Sequence, residues 1–344
     1  MPFLIENELA ESSAIISKLD PAQIEAIADA IITSVQKGGK VILFGNGGSA
    51  ADAMHLAAEL SGRYRMERPA IDGIALTSLS SISGIGNDYG YRHVFVRQLE
   101  ACLRPGDVVI GLSTSGKSEN VLLAIEFAME HGAVTAAFTG SGGNLKDLVD
   151  LPLTVPSIST PRIQEAYICA GHIICGLVER GLYGHKAVFV DRDDTIVKDV
   201  PYCSRPEDLH LFPGAARSIR RLNDAGYLVI LVTNQSGIGR GYFTEEMLHR
   251  IHDKLGADLA AEGARLDAIY YCPHHPDDEC DCRKPALGMI EKAVAEWDID
   301  LRRSYVIGDG NNDMTMGQSV GCKVFKVTEE RNFNDAVDAL LKND

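Results

Sequence analysis

The 344-residue chain is expected to be an α/β protein built from two doubly wound parallel-sheet domains in tandem. Three observations predict this. Short apolar runs recur along the chain, each followed by a glycine-rich or polar loop and then a helical stretch. The runs form two series, separated near residue 184. The length suits two domains at roughly 100–200 residues each.

The elements follow in order. Residues 1–37 have a helical pattern: Ile24, Ile27 and Ile31 recur at helical spacing after Asp20-Pro21, a cap and first-turn pair. Gly38-Gly39 ends that region. The first series of strands is then 41–44, 73–76, 108–112, 134–138 and 151–155. The second is 187–190, 228–232, 268–271, 305–307 and 323–327. The segment 181–185 between them is a short linker, which sets expected domains of 1–184 and 185–344. No repeat and no low-complexity stretch interrupts this order.

Composition narrows the partners. A 45% hydrophobic and 24% charged chain is ordinary for a globular protein with real cores. The formal net charge of −15 argues against nucleic acid, whose phosphates demand a basic surface. The N-terminal residues lack a basic region followed by an apolar core, and no apolar run approaches about 20 residues. Neither export nor a membrane partner is expected, and the cytoplasm is the expected location. Three of the eight cysteines, Cys272, Cys280 and Cys282, share one short segment, which reads as metal binding rather than disulfide.

In open parallel sheets, ligands sit at the carboxyl ends of the strands, so the chemistry belongs in the loops that follow the runs. Residues 41–44 lead into Gly45-Asn46-Gly47-Gly48-Ser49-Ala50, a turn that offers backbone N–H groups to an anion. Residues 108–112 lead into Ser113-Thr114-Ser115-Gly116-Lys117-Ser118, where four hydroxyls precede a helix. Residues 111–118 also match the nucleotide-binding pattern G-x-x-x-x-G-K-[ST]. That match is set aside, because no strand-end aspartate nearby reads as a magnesium partner. His55 and Glu59 share a helix face, and Gln164 and His172 lie about two turns apart on another.

These stretches, with Asn87-Asp88 and Thr160 through Glu165, resemble the sugar-isomerase domain, and within it the phosphoheptose isomerase family. The resemblance spans 1–184. It implies that Ser49, Ser113, Thr114, Ser115 and Ser118 hold the substrate phosphate, with Asn46, Gly47, Asp88 and Gln164 as further substrate ligands. It implies zinc at His55, Glu59, Gln164 and His172, with Glu59 and His172 as the acid–base pair of a ketose–aldose isomerisation. It also implies a homotetramer. A sugar-phosphate sensor is the alternative, but a sensor does not need the four candidate ligands.

The second half carries four motifs in order. They are Asp191-Arg192-Asp193-Asp194-Thr195, Thr233-Asn234-Gln235, Arg283-Lys284-Pro285 and Gly308-Asp309-Gly310-Asn311-Asn312-Asp313. Any one is weak; together they resemble the haloacid dehalogenase superfamily. The resemblance implies a Rossmann-like fold with Asp191 as nucleophile, Asp193 as acid–base, and magnesium at Asp191, Asp193 and Asp309. Thr233, Asn234, Arg283 and Lys284 would hold the substrate. Asp313 has two readings, a support for Lys284 or the metal and a helix N-terminal cap. Cys272, Cys280 and Cys282 with a histidine fit a closed tetrahedral zinc site. His274 and His275 both qualify, and resemblance to heptose bisphosphate phosphatases favours His274. That family has glycine where Asp194 stands, which puts turnover in question. Histidinol phosphatases share the zinc loop and are the alternative.

Both resemblances imply one route to nucleotide-activated heptose for surface polysaccharide. The first half would isomerise sedoheptulose 7-phosphate, and the second would hydrolyse the 1-phosphate of the heptose 1,7-bisphosphate. A separate heptokinase would act between them.

Overall fold

The computed structural model describes residues 2–342. It divides into two compact units, one ending at Tyr183 and one starting at Gly184.

The first unit opens with α1 (Pro2–Ile16) and α2 (Pro21–Gln36). Asp20 caps α2 by accepting from the Ala22 N–H, with Pro21 in the first turn, where its missing N–H costs nothing. The chain then alternates: β1 (Val41–Gly45), α3 (Gly48–Ser61), β2 (Gly73–Ala75), α4 (Leu79–Tyr89), α5 (Val96–Cys102), β3 (Val108–Ser113), α6 (Glu119–Glu130), β4 (Val134–Gly140), α7 (Leu145–Leu148), β5 (Leu151–Val155) and α8 (Thr160–Tyr183). All strand pairs are parallel, in the order β2-β1-β3-β4-β5. Successive strand residues face opposite sides: Val41 and Leu43 join one core, Ile42 and Phe44 the other. Both faces are therefore covered by helices, as a parallel sheet requires.

The second unit follows the same rule with β6 (Ala187–Val190), α9 (Ala215–Asp224), β7 (Leu228–Asn234), α10 (Glu245–Ala261), β8 (Ala268–Cys272), α11 (Gly288–Trp297), β9 (Tyr305–Gly308), α12 (Asn311–Ser319), β10 (Lys323–Lys326) and α13 (Phe333–Lys342). The parallel order is β10-β9-β6-β7-β8. Val188 and Val190 pack into one core, Ala187 and Phe189 into the other. The two expected strand series are thus both present, with ends shifted by at most two residues.

Topology places the sites. In each sheet the chain reverses direction of growth beside its first strand, the switch point where open parallel sheets bind ligands. In the first unit it lies between β1 and β3. In the second it lies between β6 and β9.

Candidate active sites

In the first unit, Gly45 on β1 pairs with Leu112 on β3, so the loops that follow the two strands lie side by side. Ser49 and Ser113 are buried, and the Ser113 and Ser118 hydroxyls are 3.1 Å apart. Asn46 and Asn120 exchange reciprocal amide hydrogen bonds of 2.9 Å, and the Tyr91 hydroxyl donates to Asn46 at 2.9 Å. These contacts tie the first loop to α6. Gly111 lies inside β3, packed under Val121 and Ile125, so the nucleotide-binding pattern falls partly on a buried strand rather than on a loop.

Behind these loops α3 crosses α8. His55 Nε2 is 2.9 Å from His172 Nε2 and 3.3 Å from Glu59 Oε1. Two nitrogens and an oxygen about 2.0–2.1 Å from one zinc ion would stand about 3.3 Å apart, so the set fits a tetrahedral ion. Gln164 packs against the first loop: a Cβ on Gly48 would stand 2.1 Å from its Nε2. Asp88 accepts from the Asn87 side chain at 2.8 Å on the exposed face of α4.

In the second unit, Asp191 follows β6 and Asp309 follows β9. Oxygens of Asp191, Asp309 and Asp313 lie within 4.8 Å of one another. Buried Lys284 bridges two of them, 2.7 Å from Asp191 and 2.6 Å from Asp313, and donates to the Val232 carbonyl at 2.8 Å. Its backbone is clamped by Asn234, whose amide bonds both the Lys284 N–H and carbonyl. Burial pushes Asp191 up to about 7, with Asp313 adding to the rise and Lys284 opposing it. Burial also raises Asp309. Three carboxylates gather beside one ammonium that pairs with two of them, and an all-oxygen donor set of this kind suits a hard divalent cation. Both readings of Asp313 hold at once: one oxygen meets Lys284, while the other accepts from the Gly310 N–H at the start of α12. Thr233 is buried at the end of β7. Arg283 Nη1 is buried and has no hydrogen-bond partner among the described residues, so it is free to meet an anion.

Asp193 lines the same cavity, but other partners hold it. Buried Arg192 grips its carboxylate through two bonds of 3.0 Å, and Gln235 donates to it at 3.1 Å. Both partners stand within the ordered motifs, but the resemblance gave neither a role. Asp194 adopts φ +49°, the left-handed region where glycine is at ease. Aspartate tolerates that region better than most residues, and here its carboxylate accepts from the Asp199 N–H at 3.0 Å. The turn is held locally by that bond.

The cysteine loop has close to tetrahedral spacing. Cys272 and Cys280 sulfurs are 3.7 Å apart, Cys280 and Cys282 sulfurs 3.8 Å, and His274 Nδ1 lies 3.5 and 3.2 Å from Cys272 and Cys282. With Zn–S near 2.3 Å, tetrahedral edges are about 3.8 Å between sulfurs and about 3.5 Å from sulfur to nitrogen. His275 instead accepts from the Asp277 N–H. Arg283 and Lys284 directly follow Cys282.

The class these folds and sites define is a sugar-isomerase domain followed by a haloacid-dehalogenase-type hydrolase domain. A SIS domain model matches residues 7–140, and a HAD-hydrolase-like model matches residues 281–340. The chain is 47% identical over 187 residues to a phosphoheptose isomerase of Burkholderia pseudomallei, covering 52% of this chain and 95% of that relative. A solved phosphoheptose isomerase from Francisella tularensis is 32% identical, with a TM-score of 0.50, over 52% of this chain and 99% of that one. A solved D,D-heptose 1,7-bisphosphate phosphatase from B. bronchiseptica, complexed with magnesium and phosphate, is 32% identical over 46% of this chain and 99% of that one, with a TM-score of 0.44. Through its first unit the chain belongs to the phosphoheptose isomerase family.

Proposed function

We propose that the chain is a bifunctional enzyme of nucleotide-activated heptose synthesis, with residues 1–184 as isomerase and 185–344 as phosphatase. The observation that carries this is that each unit has its own metal-capable cluster, His55, Glu59 and His172 in the first and Asp191, Asp309 and Asp313 in the second.

The isomerase converts sedoheptulose 7-phosphate to D-glycero-D-manno-heptose 7-phosphate. Ser49, Ser113, Thr114, Ser115 and Ser118 bind the phosphate, and Asn46, Gly47, Asp88 and Gln164 are further substrate ligands. Zinc held by His55, Glu59, Gln164 and His172 would polarise the reacting carbonyl. Glu59 and His172 move the proton between C1 and C2 through an enediol. The exposed apolar side chains Phe3, Leu4, Ile5 and Leu9 of α1, and Met54 and Ile173 beside the histidines, support a homotetramer that covers them.

The phosphatase acts on the heptose 1,7-bisphosphate supplied by a separate heptokinase. Asp191 attacks phosphorus to form an aspartyl-phosphate, and Asp193 protonates the leaving oxygen, then activates water for its hydrolysis. Thr233, Asn234, Arg283 and Lys284 hold the transferring group. Magnesium at Asp191, the Asp193 carbonyl and Asp309 would offset the charge gathered there. Zinc at Cys272, His274, Cys280 and Cys282 would order the segment that presents Arg283 and Lys284. The sequence expectation has the C1 ester cleaved. A nucleotide is joined to a sugar through its anomeric phosphate, which favours cleavage at C7 with the 1-phosphate retained. The cytoplasm, where such phosphosugars are made, is the proposed location.

The test is to incubate the chain with sedoheptulose 7-phosphate and, separately, with the bisphosphate. Formation of the aldose supports the first activity, and release of one phosphate supports the second. The phosphorus NMR spectrum of the product separates a retained anomeric phosphate from a retained C7 ester. Failure on either substrate sinks that half.

A further inference from the structure

His55 and Glu59 sit on α3 and His172 on α8, so their spacing depends on how one helix is held against the other. The helices approach closely at Gly171, where a Cβ would stand 2.5 Å from a Leu56 methyl carbon. That contact brings them together but leaves each imidazole free to turn. A second device lies outside every sequence motif of the first unit.

Arg68 and Glu179 form an ion pair with side chains only 1% exposed. Arg68 donates to the carbonyls of Glu59 at 2.8 Å, Leu60 at 2.7 Å and Gly62 at 3.0 Å. The first two are among the last carbonyls of α3, which have no partner within the helix, and Gly62 is the residue that ends it. Its Nε reaches Glu179 on α8 at 3.0 Å. The Glu179 carboxylate also accepts from the Tyr64, Arg65 and Met66 N–H groups at 2.8, 2.9 and 3.1 Å. Burial alone would raise Glu179, but these three N–H groups and Arg68 hold it below the usual carboxylate range. The loop so fixed lays the Tyr64 ring over His172, 5.4 Å between centroids and 6° from parallel.

We propose that Arg68, Glu179 and Tyr64 are positioning residues for the histidine–glutamate metal cluster. The ion pair locks the end of α3 that carries Glu59 to the helix that carries His172. Tyr64 then fixes the plane of the His172 ring so that Nε2 faces His55. Charged partners of this kind are costly to bury unless fully bonded, and here both are bonded on every side. Their aim is metal geometry as well as stability, because each chain of contacts ends on a ligand. This rests on the proposal that His55, Glu59 and His172 hold zinc, and the test separates the two.

The experiment measures zinc affinity of the full chain by competition with a chromophoric chelator, with His55→Ala as the blank for the cysteine loop's ion. Glu179→Gln and Tyr64→Leu should each weaken zinc binding about tenfold, the low end for loss of a supporting partner. Tyr64→Phe keeps the ring and should bind as the parent does. Circular dichroism reports folding; if Glu179→Gln does not fold, the Tyr64 pair carries the test. Parental affinity in Tyr64→Leu, or equal loss in Tyr64→Phe, overturns the inference. A parent chain that binds no more zinc than the blank overturns the metal reading itself.

Discussion

The two units solve one problem in different ways. Both must gather polar groups at a sheet switch point. The second unit does so with residues at or just after strand ends: Asp191 after β6, Thr233 in the last residues of β7, Asp309 after β9. Its strand-end acids are fixed by the sheet and half-buried, and buried Lys284 meets Asp191 at 2.7 Å and Asp313 at 2.6 Å. The first unit puts only its glycine- and hydroxyl-rich loops at strand ends. Its metal-capable residues stand on two crossing helices, with the His55 side chain 48% exposed. Strand-end sites inherit precision from hydrogen-bonded register, whereas a helix-borne site needs extra bracing. The Arg68–Glu179 pair supplies it.

The sharpest way to break this comparison is to disable one site and watch the other. Asp191→Asn should lower phosphate release by roughly 10⁴-fold or more, as loss of a nucleophile does. The isomerisation rate in the same preparation should be unchanged; a fall in both would show that the sites are not separate. Glu59→Gln should do the reverse, lowering isomerisation by about 10²–10⁴-fold, the range for acid–base groups, with phosphate release intact.

Metal removal sharpens the contrast in stability. Cys280→Ser should cost the second unit several kcal/mol, because binding of a structural zinc is largely folding free energy. Calorimetry should show the transition of the second unit falling by many degrees while that of the first stays in place. Movement of both would contradict independent folding.

A smaller effect concerns pH. The folded Asp191 is raised to about 7 by burial, against about 3.9 for an unfolded aspartate. A raised acid stabilises the fold when protonated, so that contribution is present at low pH and is lost as pH rises from about 4 through about 7. Magnesium prefers the ionised carboxylate and should reverse the trend. The rise in melting temperature on adding magnesium should therefore be larger at pH 8 than at pH 5.5; an equal rise at both would remove Asp191 from the metal site.

The smallest effect is expected at Asp194. Asp194→Gly relieves a left-handed aspartate, worth roughly 1–2 kcal/mol, but loses the bond from the Asp199 N–H, worth about 1 kcal/mol. The urea midpoint should shift by less than the equivalent of about 1 kcal/mol. Magnesium affinity should fall slightly with the lost charge. A large loss of phosphate release would show that Asp194 acts in the site itself.

Legibility followed the same division. Every strand was readable, and so was the position of the glycine-rich and hydroxyl-rich loops after β1 and β3, because apolar runs and glycine or hydroxyl clusters are contiguous in sequence. The cysteine loop was readable for the same reason. The choice of His274 over His275 was not settled by spacing alone, since the two histidines are adjacent in the chain. Once folded, His274 turns its Nδ1 toward the sulfurs, while His275 turns its own to the Asp277 N–H. Asp313 had two local readings, and only the fold showed that its two oxygens serve both.

Sequence by itself determined the two parallel α/β series and the groups that sit in the loops after their strands. Local pattern is enough there, because a parallel strand must be apolar on both faces and must hand its chain to a loop at one known end. Tertiary structure alone decided which distant side chains meet. The bond from Gln235 to Asp193 spans 42 residues, and the grip of Glu179 on the Tyr64 loop spans 115. Such contacts depend on how helices cross and which loops they bury, and no periodicity along the chain encodes that.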